Sequence, residues 1–214
     1  MTFFQTLKKI AVIPVIVIDH VQQAIPLARA LQAGGLPIAE ITLRTPAALN
    51  AIQEIASQMP QVLIGAGTVI TLDQAKVAVD HGARYLVSPG LPVDVIQWSA
   101  NNNIPFLGCA VTAAEIVNGM RMGLSVFKFF PSEAMGGLRT IKALSDPFPD
   151  IQFVPTGGVN QFNLLEYLQK PYILAVGGSW MSKRDWVNNE QYERVQQEAL
   201  AACQIRDKSR QLPL

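Results

Sequence analysis

Cysteine and histidine are nearly missing from this chain, and charge is never concentrated in it. Of 214 residues, two are cysteine and two are histidine. Cys109 and Cys203 lie far apart in sequence, so no disulfide framework is implied, and Cys109 reads as apolar filler. His20 and His81 stand outside any His/Asp/Glu cluster, so a metal-dependent reaction is disfavoured and neither a metal nor a cofactor is expected. Charged residues make up 15% of the chain, the net charge is +1, and no Lys/Arg cluster forms a stripe. That balance argues against a nucleic-acid partner and against an anionic membrane surface. No apolar run approaches a transmembrane length. Ala11–Ile18 follows Lys8 and Lys9 in the manner of a leader, yet it is short, contains Pro14 and runs into Asp19-His20 without a small-residue cleavage pattern. A buried first strand fits it better, and the cytoplasm is the expected compartment. No linker, low-complexity stretch or G-x-G-x-x-G fingerprint breaks the chain. Residues 1–214 are therefore expected to form one domain.

What is present is apolar and periodic. Half of the residues are hydrophobic. After a segment of helical spacing over Thr2–Ile10, short apolar runs recur at Val12–Ile18, Ile38–Arg44, Leu63–Val69, Tyr85–Pro89, Pro105–Val111, Val126–Pro131, Gln152–Gly158 and Ile173–Ser179. Amphipathic segments alternate with them: Val21–Ala33, Ala47–Met59, Leu72–His81, Val93–Asn101, Ala113–Met122, Leu138–Leu144, Phe162–Leu168 and Asn189–Arg210. Strand and helix alternating at intervals of about 20–25 residues call for parallel strands joined by right-handed crossovers. Eight units close into an α/β fold, a (β/α)₈ TIM barrel with an extra N-terminal helix capping one end. An open doubly wound sheet is the alternative, weakened by the missing glycine fingerprint.

In such a barrel chemistry sits at the C-terminal ends of the strands. Ser125-Val126-Phe127-Lys128-Phe129-Phe130-Pro131 sets a lysine in an apolar strand, with Val126, Lys128 and Phe130 on one face. An ammonium there is poorly solvated, and a partly neutral lysine attacks carbonyls to form Schiff bases. The plainer readings are a lysine that snorkels to water or contacts a substrate phosphate. The strand-two run puts Glu40, Thr42 and Arg44 on one face, offering an acid/base in Glu40 and a carboxylate clamp in Arg44; a structural ion pair competes. Gly65-Ala66-Gly67-Thr68 leaves space and a hydroxyl, and Ser88-Pro89-Gly90 shapes a wall or stops a strand. Thr156-Gly157-Gly158 and Gly177-Gly178-Ser179 end the last two strands, where exposed N–H groups commonly hold phosphate. Carbonyl nucleophile, acid/base, carboxylate clamp and phosphate cradle together suit carbon–carbon bond cleavage in a phosphorylated 2-keto acid.

Six motifs, Glu40-Ile41-Thr42-Leu43-Arg44, Gly65-Ala66-Gly67-Thr68-Val69, Ser88-Pro89-Gly90, Phe127-Lys128-Phe129-Phe130-Pro131, Pro155-Thr156-Gly157-Gly158 and Gly177-Gly178-Ser179-Trp180, closely resemble in matching order those of the class I KDPG/KHG aldolases. That family cleaves 2-keto-3-deoxy-6-phosphogluconate (KDPG) to pyruvate and glyceraldehyde 3-phosphate, or 4-hydroxy-2-oxoglutarate (KHG) to pyruvate and glyoxylate. The resemblance implies Lys128 as the Schiff-base lysine and Glu40 as the acid/base. It implies Arg44 and Thr68 on the pyruvate carboxylate, Pro89 and Phe130 as pocket walls, and Gly157, Gly158, Gly178 and Ser179 around the phosphate. It also implies a homotrimer that takes only small molecules. Thr156 is expected to read the C4 stereocentre, since relatives that prefer the galactonate epimer tend to carry valine there. One departure stands out: Gly108-Cys109 occupies the strand-five end, where the family usually has Pro-Gly. A phosphosugar isomerase or decarboxylase, and a non-catalytic sugar-phosphate-binding barrel, are the competing readings.

Overall fold

A parallel strand covered on both faces needs apolar residues on both, which is why the strand runs read as nearly continuous. In the computed structural model, which describes residues 2–211, they form eight strands: β1 (Val12–Ile16), β2 (Ile38–Thr42), β3 (Leu63–Gly67), β4 (Leu86–Val87), β5 (Phe106–Cys109), β6 (Val126–Phe129), β7 (Gln152–Pro155) and β8 (Val176–Gly178). Every ladder is parallel, in the order β7-β6-β5-β4-β3-β2-β1-β8. Bridges from Phe153 to Ile173 and from Thr156 to Gly177 join β7 to β8 and close the sheet on itself. The expected (β/α)₈ barrel is the fold.

The helices are α1 (Phe3–Ile10), α2 (Ala24–Ala33), α3 (Ala48–Gln58), α4 (Leu72–Asp80), α5 (Val93–Asn101), α6 (Ala113–Arg121), α7 (Gly137–Ser145), α8 (Leu164–Leu168), α9 (Arg184–Asn188) and α10 (Tyr192–Gln211). Thr71 and Thr112 start α4 and α6 with reciprocal capping boxes to Gln74 and Glu115, which fixes how the preceding loops leave the barrel mouth. α1 is the extra N-terminal helix. Thr2 caps it, and Leu7, with Phe3, Phe4 and Ile10, closes the bottom of the barrel against Ile13, Ile38, Tyr85, Val126 and Val154. Full burial of Leu7 contributes about 1.5–3 kcal/mol. The interior is thus a sealed apolar floor, and polar groups collect at the other end.

Several boundaries differ from expectation for local reasons. β7 stops at Pro155 because Gly157 and Gly158 take φ of +92° and +84°, outside strand space. β2 stops at Thr42, so Arg44 lies in a turn and not on the strand face. The last helix begins at Tyr192, after Glu190 turns the chain at φ +54°, and the short α9 before it had no strong pattern of its own.

Candidate active site

The geometry of β6 follows from its alternation. Phe127 and Phe129 point outward into the helix-facing core, leaving Val126 and Lys128 inside the barrel. Lys128 Nζ lies 3.3 Å from Glu40 Oε1, with the two side chains only 8% and 3% exposed. Removing two ions from water costs several kcal/mol each, so this pair is not placed there for stability alone. Gly67 makes the arrangement possible: a Cβ there would sit 2.7 Å from Glu40 Cγ and 2.8 Å from Cδ. Gly65 similarly vacates space for the buried Tyr85 ring, since its Cβ would lie 2.5 Å from Tyr85 Cε2. The small residues of β3 therefore house specific neighbours. Gly67→Ala is expected to displace the Glu40 carboxylate and lower kcat by about tenfold or more, since small misplacements of catalytic groups are costly. Steady-state kinetics on a folded Gly67→Ala protein with unchanged kcat would contradict that fit.

Next to the pair, whose own side chains stand outside its lining, opens a cavity of about 520 Å³, lined by Thr42, Arg44, Phe130, Thr156, Gly157, Gly158, Gly178 and Ser179 among others. Thr42 is the next inward residue after Glu40 on β2, and its hydroxyl donates to Ile16 O at 2.9 Å. Lys128 Nζ lies 5.4 Å from the centre of the Phe130 ring, tying the buried pair to the cavity wall. Thr68 and Pro89 are not part of that lining. They sit at the exits of β3 and β4, Thr68 half-buried at φ +63° and Pro89 exposed. A left-handed threonine costs about 1–3 kcal/mol; Leu43 N to Gly67 O and Val69 N to Val87 O pin the chain on either side of it. At the departing strand-five position, Cys109 is the ladder partner of Lys128 and its Sγ lies 3.6 Å from Phe130 O. Burial pushes its thiol pKa up, which favours the neutral filler role.

The glycine turn after β7 is built as a donor surface. Thr156 O accepts from Ser132 N at 2.8 Å, Gly157 O from Glu133 N at 3.1 Å, and Gly158 O from Asn160 Nδ2 at 3.1 Å. Every carbonyl is occupied, while the N–H groups of Gly157 and Gly158 have no acceptor among the described residues. Such free amides in successive left-handed residues suit an anion. Glycine is required at 158 for a second reason: a Cβ would lie 2.5 Å from Glu133 Cβ. A bulky residue there would strike Glu133 as well as any anion, so it cannot isolate phosphate binding. Gly178 is needed by Trp180, whose ring would meet an added Cβ.

Sequence reasoning missed Asn160, Trp180, Lys183 and Arg184, which also line the cavity. Arg184 makes a bidentate contact with Asp19 at 2.6 and 2.7 Å, joined by Asn188 Nδ2 at 2.9 Å. Those bonds, Arg184's foremost, hold the Asp19 carboxyl down at about 2. Asp19 and Arg184 stand 165 positions apart, so no local pattern could have paired them. Among the described residues no group of three or more His, Cys, Asp or Glu is placed to hold a metal ion, and no helix is long and apolar enough to cross a membrane.

A family model described as KDPG and KHG aldolase matches residues 4–198. The chain belongs to the KDPG and KHG aldolase family. It is 43% identical over 184 residues to a 2-dehydro-3-deoxy-phosphogluconate aldolase of Pseudoalteromonas atlantica, covering 86% of each chain. It is 39% identical, with the same coverage, to the KHG/KDPG aldolase of Escherichia coli K12. A KDPG aldolase from Legionella pneumophila, solved with pyruvate captured as a covalent carbinolamine intermediate, superposes with a TM-score of 0.91 at 40% identity, covering 94% of this chain and 98% of that one. Membership makes the chain a class I aldolase, a lyase working through a Schiff base.

Proposed function

We propose that the enzyme cleaves KDPG to pyruvate and glyceraldehyde 3-phosphate, and KHG to pyruvate and glyoxylate. The observation that carries this reading is the buried Lys128–Glu40 contact of 3.3 Å next to a cavity with a glycine donor turn on its wall. Proton transfer across that contact yields a neutral amine and a carboxylic acid, the pair that carbonyl attack requires. The Lys128 amine adds to C2, Glu40 protonates the carbinolamine oxygen, and water leaves an iminium. Glu40, now a carboxylate, takes the C4 hydroxyl proton; the C3–C4 electrons flow into the iminium and the aldehyde departs. Protonation of the enamine at C3 and hydrolysis release pyruvate and restore the lysine. Arg44 holds the pyruvate carboxylate at the rim, with Thr68 and Pro89 on the β3 and β4 side and Phe130 as the wall. Gly157, Gly158, Gly178 and Ser179 receive the phosphate. Cleavage rates on KDPG and KHG measured side by side test the assignment; a chain that turns over neither refutes it. The family resemblance further supports a cytoplasmic homotrimer, which sedimentation of the purified chain tests.

Thr156 is read as the residue that senses the C4 hydroxyl. It is 6% exposed and lines the cavity, and its hydroxyl makes no hydrogen bond to any described residue. That argues against a threonine kept only to bond local backbone. An unpaired polar group costs roughly 1–3 kcal/mol when the wrong epimer binds. Thr156→Val is therefore expected to relax or invert the gluconate-over-galactonate preference by about ten- to a hundredfold in kcat/KM. An unchanged epimer ratio would remove Thr156 from this role.

A further inference from the structure

Glu133 sets a carboxylate beside the glycine turn, where a phosphate dianion would meet a like charge. Its Cβ packs against the Gly158 backbone, its N–H is tied to Gly157 O, and it forms no salt bridge among the described residues. Glu133 is exposed, and a carboxylate on the residue packed against Gly158 would oppose an anion at the turn unless it is turned away and hydrogen-bonded. Its Oε1 accepts a hydrogen bond from the Tyr167 hydroxyl, which also lies 2.9 Å from Ser132 Oγ. Tyr167 is 1% exposed and reaches the carboxylate from α8, behind the turn, close to Gly137. Glu133 consequently does not line the cavity. Burial first, and then the bond to Glu133, raise the Tyr167 pKa, so the phenol remains a donor throughout the working pH range.

We infer that Tyr167 is a positioning residue whose hydroxyl holds the Glu133 carboxylate off the anion site and so sets the preference for phosphorylated over unphosphorylated substrate. The inference rests on the proposed reading of Gly157-Gly158 as the phosphate cradle. Neither residue touches the reacting carbons, so the effect belongs in KM and not in kcat.

The test compares wild type, Tyr167→Phe, and Tyr167→Phe combined with Glu133→Gln. Each protein is assayed on KDPG and KHG and titrated with inorganic phosphate by calorimetry. Tyr167→Phe frees the carboxylate, and KM for KDPG and Kd for phosphate should rise by roughly tenfold. Its kcat, and its KM for KHG, should stay within about twofold of wild type. Adding Glu133→Gln removes the charge and should restore both constants. Equal losses on the two substrates, a phosphate Kd that is the same in all three proteins, or no restoration by Glu133→Gln would overturn the inference. Failure of the aldolase reading itself would look different: wild type would turn over neither keto acid while the three phosphate affinities still ranked as expected.

Discussion

Lys128→Ala is expected to lower turnover of KDPG and KHG by at least about 10⁴-fold, the scale seen when a covalent nucleophile is removed. Without the amine no iminium forms beside Glu40; Lys183, the other lysine at the cavity, stands with its Nζ over the Trp186 ring at 4.8 Å and has no carboxylate within ion-pair distance among the described residues. The substitution also strands Glu40, which is 3% exposed and has Lys128 as its ion-pair partner. Truncating one member of a buried pair commonly costs 3–5 kcal/mol. Loss of activity must therefore be separated from loss of fold. Lys128→Arg provides the separation, because a guanidinium preserves the charge opposite Glu40 but stays protonated and cannot attack a carbonyl. Both variants should be inactive, while circular dichroism and thermal melts should show Lys128→Arg as the more native. Near-normal turnover by a folded Lys128→Arg protein would assign the chemistry elsewhere.

Glu40→Gln should reduce kcat on KDPG by about 10²–10⁴-fold and leave KM within a few-fold. The amide fills nearly the same volume beside Gly67 but moves no proton. It is asked to replace a group that serves carbinolamine dehydration, C4–OH deprotonation and enamine protonation in turn. Pyruvate trapping at Lys128 should become slow and remain measurable, since attack on the carbonyl is retained. A fall in kcat of less than about threefold would reduce Glu40 to a structural counter-ion for Lys128.

Most of the barrel could be read from the chain because its strands and helices carry different hydrophobic periods, and the motifs sit where those periods break. Alternation in β6 correctly turned Lys128 inward, and the same rule turned Glu40 to meet it. Periodicity reports which face a residue takes, but not its depth in the barrel or its neighbour across it. Gly67 accordingly looked like generic space, although it accommodates one carboxylate. Arg44 was placed on a strand face, yet the ladder ends at Thr42 and a turn delivers it to the same cavity. The Asp19–Arg184 clamp and the Tyr167–Glu133 contact join residues 165 and 34 positions apart. Such pairings depend on barrel closure, which no window of sequence contains.

The central claim is a covalent imine between pyruvate and one lysine, and borohydride tests it most directly. The enzyme is incubated with pyruvate, reduced, digested and mapped by mass spectrometry. The account predicts one reduced adduct per chain, on the peptide carrying Lys128, accumulating in parallel with loss of activity and absent when borohydride is added without pyruvate. An adduct on another lysine, or inactivation with no adduct, would contradict it.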